Sequence, residues 1–406
     1  MQICARGIWN GTGEPRPGRL AISDGKIEGL LPPGPAQIDL GDAILCAGFV
    51  NAHTHLDLSL PRPSQRLEGT FDDWLQSVIE MRKNLADDGI IVAAAAGAEE
   101  ALSGGTTAIF DIDPEGHSTT ALTDSALRRL ILREVISLQP QPGPDLAALA
   151  TFLGQSPDPE RELRGVSPHS SYTVHPEVLA RLLPWCREQG VPWAMHVAEP
   201  EWEQELLVEG TGEGVRFLDG FDADPQQFQR GKTMIESLHD SKDLSAHGLI
   251  IHGNECSADE LTIIEEADSA LVWCPRSHAF FDRDPHPAPE AAAAGLNVLL
   301  GTDSKVSAGT LSMLDEMRAA RTAGPDLDAE TIWQMATVNA RRWLAAAGHP
   351  GLLGSGTLKE GDPADLVAVS LAEGDGPLLE RALGGEVIGT WIDGRALQPE
   401  MLEDAQ

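Results

Sequence analysis

Short apolar runs alternate with longer helix-forming stretches through the middle of the chain. Such runs, when turn residues bound them, predict strands that are buried on both faces of a parallel sheet. Eight candidate strands lie at 44–55, 106–113, 129–137, 163–169, 191–199, 248–255, 269–276 and 296–303. Candidate helices lie between them at 71–103, 176–189, 257–267, 288–295, 310–323 and 328–347. Because a closed barrel needs eight strands, the alternation predicts an α/β fold of the (β/α)8 TIM type.

The two ends of the chain have a different pattern. Residues 1–45 contain short strand-like pieces that Gly and Pro separate, and similar pieces follow residue 351. Regular turn signals of this kind predict a small antiparallel β-domain. Because residues 1–45 and 351–406 flank a barrel region at 46–350, we expect one small domain that is built from both chain ends.

One stretch interrupts the alternation of strands and helices. Residues 210–247 are rich in Gly, Asp and Gln and too long for an ordinary barrel loop. The stretch directly follows the predicted fifth strand, so it should start on the face where the strands end. Two interpretations remain open, a lid over that face and a surface excursion without a role.

The charge balance narrows the range of partners. The 406 residues include 63 acidic and 29 basic ones, which gives a formal net charge of −34. No Lys/Arg cluster is present, so we expect a small-molecule substrate, and neither nucleic acid nor a membrane as a partner. Association into homo-oligomers stays open. Five scattered cysteines, with no signal-peptide pattern and no long apolar run, predict a cytoplasmic protein with reduced thiols.

Histidines and an aspartate end several of the predicted strands. His53 and His55 are two residues apart at the end of the first strand, so both imidazoles share one face. His196 and Asp303 end later strands, and the carboxyl ends of barrel strands converge on one face. Three imidazoles and one carboxylate form a ligand set that suits Zn²⁺ or Fe²⁺. One carboxylate oxygen of Asp303 can bind metal while the other accepts a proton from water as a general base.

Six motifs, in this order, resemble the amidohydrolase superfamily. They are GFVNAHTHLDLS at 48–59, SPHSSYTVHP at 167–176, HVAE at 196–199, IHGNE at 251–255, CPRS at 274–277 and GTDS at 301–304. The likeness covers almost the whole chain and is strongest to the deaminase and chlorohydrolase branch, which includes S-adenosylhomocysteine, aminofutalosine and guanine deaminases. The resemblance implies a TIM-type barrel beside a β-sandwich in which both chain ends pair.

The resemblance also implies catalytic roles. Glu199 is expected to protonate a ring nitrogen of the substrate and to help deliver a proton to the leaving group. His252 is expected to hydrogen-bond the attacking hydroxide and to stabilise charge. Two-metal members often carry a carbamylated lysine on the fourth strand, and residues 163–169 contain no lysine, so we expect one metal ion. The nearby Glu203 and Glu205 have the pattern of a solvated helix face.

Four further residues are predicted substrate contacts. His169 ends the fourth strand, where the family has a substrate-contacting histidine. Asp73 and Trp74 match a family segment that can touch the far end of the substrate. Arg276, in the CPRS motif, is expected either to line the pocket or to have a structural role. His278 stands where the family commonly has Asn, which leaves the exact substrate open.

These features together predict a metal-dependent hydrolytic deaminase. The expected reaction converts an aminated N-heterocycle, in an adenosine-type nucleoside, to the oxo product and ammonia. The alternatives on the same scaffold are a chlorohydrolase for triazine-type rings and a cyclic amide hydrolase. A catalytically silent scaffold is a further alternative, and the complete ligand set and Glu199 argue against it.

Overall fold

The computed structural model describes residues 1–60 and 69–397. The strands in this part of the chain are β1 (Gln2–Ile8), β2 (Arg16–Ser23), β3 (Lys26–Leu31), β4 (Ile38–Asp39), β5 (Ala43–Ala47), β6 (Phe49–Thr54), β7 (Thr106–Asp113), β8 (Arg128–Val135), β9 (Glu162–Pro168), β10 (Trp193–Val197), β11 (Gly248–His252), β12 (Ala270–Trp273), β13 (Val298–Leu300), β14 (Leu366–Ser370), β15 (Val387–Ile392) and β16 (Arg395–Ala396).

The helices in the same part of the chain are α1 (Phe71–Lys83), α2 (Asp87–Ser103), α3 (His117–Ala121), α4 (Leu146–Leu153), α5 (Pro176–Gln189), α6 (Trp202–Glu209), α7 (Glu213–Asp219), α8 (Met234–Asp240), α9 (Ala258–Glu266), α10 (Pro275–Phe280), α11 (Ala288–Ala294), α12 (Lys305–Ala308), α13 (Met313–Ala323), α14 (Ala329–Ala336), α15 (Val338–Ala346) and α16 (Leu378–Leu383). Single 3-10 turns lie at Leu56–Leu58 and Pro225–Gln227. None of the helices in the described ranges has both the length and the hydropathy needed to cross a bilayer.

Strands β6 to β13 form one parallel sheet in which each strand pairs with the next one along the chain. The first and last strands also meet, because the amide of Asp303 donates to the carbonyl of His53 at 3.0 Å. Buried side chains such as Phe110, Leu130 and Leu249 fill the interior. The predicted (β/α)8 barrel is therefore confirmed.

The two chain ends share a second sheet, with the strand order β16-β15-β14-β5-β1-β2-β3 and β4 beside β1. The joint between the two ends is the antiparallel pair of β5 and β14, which runs from Leu366 opposite Ala47 to Ser370 opposite Ala43. The amide of Ile27 in β3 donates to the carbonyl of Asp362, which precedes β14, so β3 also contacts the C-terminal part of this domain. This confirms the predicted second domain from both ends. Residues 398–406 of its predicted C-terminal part lie outside the described residues.

The predicted first barrel strand, 44–55, is in fact two strands that belong to different sheets. Ala43–Ala47 is β5 of the terminal sheet, and the barrel strand begins at Phe49. Gly48 lies between them, where a Cβ atom would stand 2.2 Å from the side chain of Thr107. Only glycine allows the backbones to approach so closely at this transition. The domain boundaries at 45/46 and 350/351 remain a prediction.

The stretch 210–247 divides into two parts with different surroundings. Its first part contains α7 and continues to Phe221, and both Phe217 and Phe221 line the cavity described below. Its last part is α8, whose Met234 and Ile235 are buried in the main core. Only the first part therefore lies over the active face, and the second is a helix that packs around the barrel.

Candidate metal centre and active site

Four histidines and one aspartate meet at the carboxyl ends of the barrel strands. His53 and His55 come from the end of β6, His196 from β10, His252 from β11, and Asp303 follows β13. The ring of His53 lies 4.9 Å from that of His55, 5.0 Å from that of His196 and 5.5 Å from that of His252, measured between centroids. The barrel thus brings together all the ligands that the sequence predicts.

The donor atoms of these side chains form two candidate metal-binding groups that share His53. One group is His53, His55 and His196, and the other is His53, His252 and Asp303, with the donor atoms of each group within 4.8 Å of one another. Both ring nitrogens of His53 are buried without a hydrogen-bond partner among the described residues. Asp303 Oδ1 is 3.5 Å from Nε2 of His53, too far for a hydrogen bond. A divalent cation fits this arrangement, because it would satisfy these atoms.

The protonation states of the imidazoles also suit a metal. Burial lowers the pKa of His55 to about 3, and it lowers the pKa values of His196 and His252 well below the usual value. These rings are therefore neutral at pH 7, the form that coordinates metal. Nδ1 of His196 lies 2.7 Å from the carbonyl of His169 and must donate to it, since a carbonyl only accepts. Nε2 of His196 is consequently the atom with a free lone pair.

Two serines orient the carboxylate of Asp303. The hydroxyls of Ser277 and Ser307 donate to Oδ2 at 2.6 Å and 3.0 Å. Oδ1 faces the imidazoles, at 3.5 Å from His53 and 3.8 Å from His55. Oδ1 is therefore the oxygen that faces the candidate metal position, and the division of metal binding and proton acceptance between the two oxygens stays a prediction. Ser277 is the residue of the CPRS motif that contacts Asp303, and the sequence alone did not identify it.

The backbone is left-handed at three positions around the site. The φ angles are +51° at Ala198, +68° at His252 and +60° at Asp303. Residues with a Cβ rarely adopt this conformation, which costs about 1–3 kcal/mol and concentrates at functional sites. At Ala198 the turn ends β10 and directs Glu199 over the cavity, whereas a continued strand would have turned Glu199 away from it.

Glu199 is a buried carboxyl group beside the histidines. Its Oε1 lies 3.5 Å from Nε2 of His252. Burial raises the pKa of Glu199 to about 8, and Arg283 opposes this effect. The main chain of Glu199 is held from several directions: Asn254 Nδ2 donates to its carbonyl at 3.0 Å, Arg283 also donates to that carbonyl, and its own amide donates to Glu203. Glu199 is therefore a carboxyl on a firmly held stretch of main chain, and its burial favours the protonated form.

The expectation that Glu203 lies on a solvated face is wrong. Glu203 is fully buried, accepts from the Ser171 hydroxyl at 2.5 Å, and accepts from the amide of Glu199 at 3.1 Å. Burial raises the pKa of Glu203 to about 7. Glu205 on the same helix is exposed, as the sequence suggests. The spacing of acids along α6 does not reveal that one side of the helix packs under Glu199.

A cavity of about 240 Å³ opens from the histidine cluster. His169 and Trp74, two of the predicted substrate contacts, line it. One wall is apolar and consists of Leu58, Trp74, Leu75, Val78, Ile79, Ile136, Leu138, Phe217 and Phe221. The carboxyl groups of Asp57, Glu134, Glu199 and Asp303 also line the cavity. A substrate bound there would meet acidic groups and an aromatic surface at once.

Two of the predicted substrate contacts lie elsewhere. Asp73 is at the start of α1, where its carboxylate accepts from Thr70 N at 2.8 Å and the Asp73 amide donates to Thr70 Oγ1, a capping box. Arg276 donates to Thr310 Oγ1 at 2.6 Å and lies 3.8 Å from the buried Glu316. Neither side chain is among those that line the cavity. Of the two roles expected for Arg276, its contacts with Thr310 and Glu316 favour the structural role.

Comparisons with known proteins agree with this architecture. A 5-methylthioadenosine/S-adenosylhomocysteine deaminase from Nitratidesulfovibrio vulgaris is 29% identical over 415 residues, which cover 94% of this chain and 87% of the relative. The crystal structure of Helicobacter pylori aminofutalosine deaminase in complex with methylthio-coformycin matches with a TM-score of 0.82 at 20% identity, covering 98% and 99% of the two chains. An adenosine deaminase from Xanthomonas campestris with bound zinc matches with a TM-score of 0.79 at 20% identity, covering 100% and 96%.

The fold and the side-chain cluster define a TIM-barrel hydrolase with a candidate metal centre at the carboxyl ends of its strands. The family model of the amidohydrolase family matches residues 44–397, so the chain belongs to that family. It is accordingly a hydrolase that acts on carbon–nitrogen bonds. The resemblance inferred from the six motifs is confirmed.

Proposed function

We propose that this enzyme deaminates an adenosine-type nucleoside by hydrolysis, with one divalent metal ion. The observation that carries the proposal is Glu199, a protonated carboxyl beside His252 and the candidate metal ligands, at the wall of a partly aromatic cavity. A proton donor for a ring nitrogen is what hydrolysis of a ring C–NH₂ group needs, because protonation makes the adjacent carbon more electrophilic. The names of the relative and of the two similar structures support a nucleoside as substrate.

His53, His55, His196 and Asp303 would hold the metal, Zn²⁺ or Fe²⁺. A bound ion of this kind supplies the Lewis acidity that makes water a nucleophile at neutral pH. In the proposed reaction Asp303 accepts a proton from the attacking water. The zinc bound in the similar adenosine deaminase from Xanthomonas campestris supports Zn²⁺ as the first metal to test.

Glu199 is the proton donor to the ring, and His252 stabilises the attacking oxygen. Glu199 donates its proton to the ring nitrogen next to the amino-bearing carbon, and the attack of water on that carbon follows. His252 hydrogen-bonds the attacking oxygen and stabilises the charge that develops in the transition state. Glu199, now a carboxylate, takes up the proton of the added hydroxyl and passes it to the amino group, which leaves as ammonia while the ring carbon keeps the oxygen as a carbonyl. The proton that Asp303 accepted from water then returns Glu199 to its acid form.

Ammonia release from purified, metal-loaded protein tests the proposal. The substrates are adenosine, S-adenosylhomocysteine, aminofutalosine, guanine and cytosine, with a chlorinated triazine and a cyclic amide for the alternatives. We expect an adenosine-type nucleoside to give the highest kcat/KM, about one metal per chain, and loss of both metal and activity in His53→Ala. Chloride release or ring-amide hydrolysis without ammonia from any aminated ring would contradict the proposal, and two tightly bound metals would contradict the single-ion centre.

A further inference from the structure

Glu134 lines the active-site cavity but has no part in the reaction proposed above. It lies near the carboxyl end of β8, with a side chain that is only 8% exposed. No hydrogen bond to its carboxyl group is found among residues 1–60 and 69–397, and its Oε1 lies 3.9 Å from Nε2 of His169. A buried carboxyl without a hydrogen bond is costly, so such a group at a cavity wall is explained by a ligand that completes it.

The other carboxyl groups of the cavity are already engaged. Asp57 forms an ion pair with Arg82 at 3.0 Å through Oδ2, while its buried Oδ1 has no hydrogen-bond partner among the described residues, and Asp303 accepts from two serines. Glu199 is assigned to the reacting ring. Among these four groups, Glu134 is the one that has no arginine partner, no serine donor within the described residues and no assigned part in the reaction.

Glu134 and His169 together form a site for a single hydroxyl oxygen. An oxygen can lie about 2.8 Å from both side-chain atoms whenever these are less than about 5.6 Å apart, and their separation is 3.9 Å. The His169 ring is fixed, because its Nδ1 bonds Thr173 Oγ1 at 2.7 Å. Its position relative to the metal centre is also fixed, since its carbonyl accepts from His196 at 2.7 Å.

The charges around Glu134 favour a neutral hydroxyl over an anion. Burial raises the pKa of Glu134 to about 8, and the nearby acids Asp57, Asp113 and Glu115 add to this effect, while Arg82 opposes it. Arg82 is itself occupied, at 3.0 Å from Asp57 and 3.0 Å from Glu115. A protonated carboxyl can donate to a hydroxyl and accept from it, whereas a further anion would meet several acidic neighbours.

We propose that Glu134, with His169, binds a sugar hydroxyl of the substrate and makes the enzyme select ribonucleosides over deoxynucleosides and free bases. This assignment rests on the proposed function and adds the residue that recognises the sugar. A site built around a hydrogen bond to a substrate hydroxyl rejects the analogue that lacks it, because the buried protein group is then left unpaired.

The test measures kcat/KM of Glu134→Leu on adenosine, 2′-deoxyadenosine, 3′-deoxyadenosine and adenine. We expect adenosine turnover to fall about 10- to 100-fold, chiefly through KM, and the wild type to lose a similar factor on one of the deoxynucleosides. Glu134→Leu should no longer distinguish adenosine from that analogue, and adenine should be unaffected. Glu134→Gln, which keeps a donor and an acceptor, should restore most of the loss.

The matched control is Glu115→Gln, an exposed acid that pairs with the same Arg82 but does not line the cavity. It should leave the discrimination between the nucleosides unchanged. Equal losses of Glu134→Leu on all four substrates, or no loss, would overturn the assignment to the sugar.

A binding measurement separates this proposal from the proposed function. Metal-loaded Glu199→Gln protein, with turnover disabled, should bind adenosine about 10-fold or more tightly than the discriminated deoxynucleoside by calorimetry, and the added Glu134→Leu change should remove the difference. Turnover of nucleosides without this difference overturns only the role of Glu134. Absence of both binding and turnover of every nucleoside overturns the proposed function and the role of Glu134 with it.

Discussion

Strand β8 carries charged side chains at both ends, and the ion-pair partners of these side chains differ between the two ends of the barrel. At its amino end, Arg129 is buried and donates to Glu162 at 2.8 Å, and Glu162 accepts from Arg164 at 2.6 Å. The neighbouring Arg128 donates to Asp393 at 2.6 Å and also to Asp365, which lie next to strands β15 and β14 of the terminal sheet. At this face each of these carboxylates forms an ion pair with an arginine. The ion pairs of Arg128 join the second domain to the barrel.

The carboxyl end of the same strand shows the opposite arrangement. Glu134 has no hydrogen-bond donor among the described residues, and Oε1 of Glu199 lies 3.5 Å from Nε2 of His252. Burial raises the pKa values of both groups to about 8. In TIM barrels the amino-terminal face serves stability and the carboxyl-terminal face serves chemistry. For these particular carboxyl groups the comparison shows arginine partners at the amino-terminal face and raised pKa values at the carboxyl-terminal face.

The largest expected effect concerns the proton donor at the carboxyl-terminal face. Glu199→Gln keeps the size of the side chain but cannot donate an acidic proton, so kcat should fall by about 10²- to 10⁴-fold. Metal content, measured by elemental analysis, should stay at the wild-type level. Glu205→Gln, an exposed acid on the following helix, is the matched control. A metal-loaded Glu199→Gln enzyme with a kcat near that of the wild type would remove Glu199 from the mechanism.

The strand-end histidines could be predicted from the sequence because the barrel rule gives their location. Once 44–55, 191–199 and 248–255 are recognised as parallel strands, their final residues must gather at one face. Glu134 lies in a correctly predicted strand, but nothing in Arg133-Glu134-Val135 shows which residue points into the cavity. That depends on the tilt of β8 and on the position of His169, which only the folded chain provides.

Two predictions were wrong, a single strand that continues through Gly48 and a solvated position for Glu203, and both errors have the same kind of cause. The apolar run from Ala43 to Val50 has no polar break, so its pattern cannot show that the chain changes sheets in the middle. The acids of α6 alternate with other residues, and the pattern cannot show that Ser171 and the amide of Glu199 lie beneath one of them. In both cases the deciding contact joins residues that are distant in sequence.

Breaking the ion pairs at the amino-terminal face should mainly affect stability. Glu162→Gln leaves Arg129 and Arg164 buried without a carboxylate, which should lower the free energy of unfolding by about 3–5 kcal/mol. Denaturant unfolding measures this, with kcat/KM of the folded enzyme within about twofold of the wild type. Glu188→Gln, an exposed acid on α5, is the control. A large loss of kcat/KM with unchanged stability would show that the amino-terminal face contributes to catalysis and not only to stability.

The buried acids of the catalytic face should make stability depend on pH. The native pKa of Glu203 is about 7, against 4.5 in the unfolded chain, so the folded protein holds an extra proton between these values. The stabilisation is complete below pH 4.5 and is lost as pH rises to about 7, by at most about 1.4 kcal/mol per pH unit for this one group. Glu203→Gln should remove that part of the slope, as thermal unfolding from about pH 5 to about pH 8 can measure. Parallel wild-type and Glu203→Gln profiles would contradict the assignment, and Glu205→Gln should behave as the wild type does.

The smallest effect separates two adjacent residues of α1, Asp73 and Trp74. Asp73 caps the helix and does not line the cavity, so Asp73→Ala should cost about 0.5–2 kcal/mol of helix stability and leave kcat/KM within about twofold. Trp74 lies on the cavity wall, against Phe281 at a ring-centroid distance of 5.0 Å, and Trp74→Ala should raise KM more than it lowers kcat. Asp73→Asn is the matched control, since it keeps an acceptor for the cap. If Asp73→Ala lowered kcat/KM more than tenfold while Asp73→Asn did the same without loss of stability, Asp73 would be a substrate contact after all. The catalytic face would then extend to the start of α1.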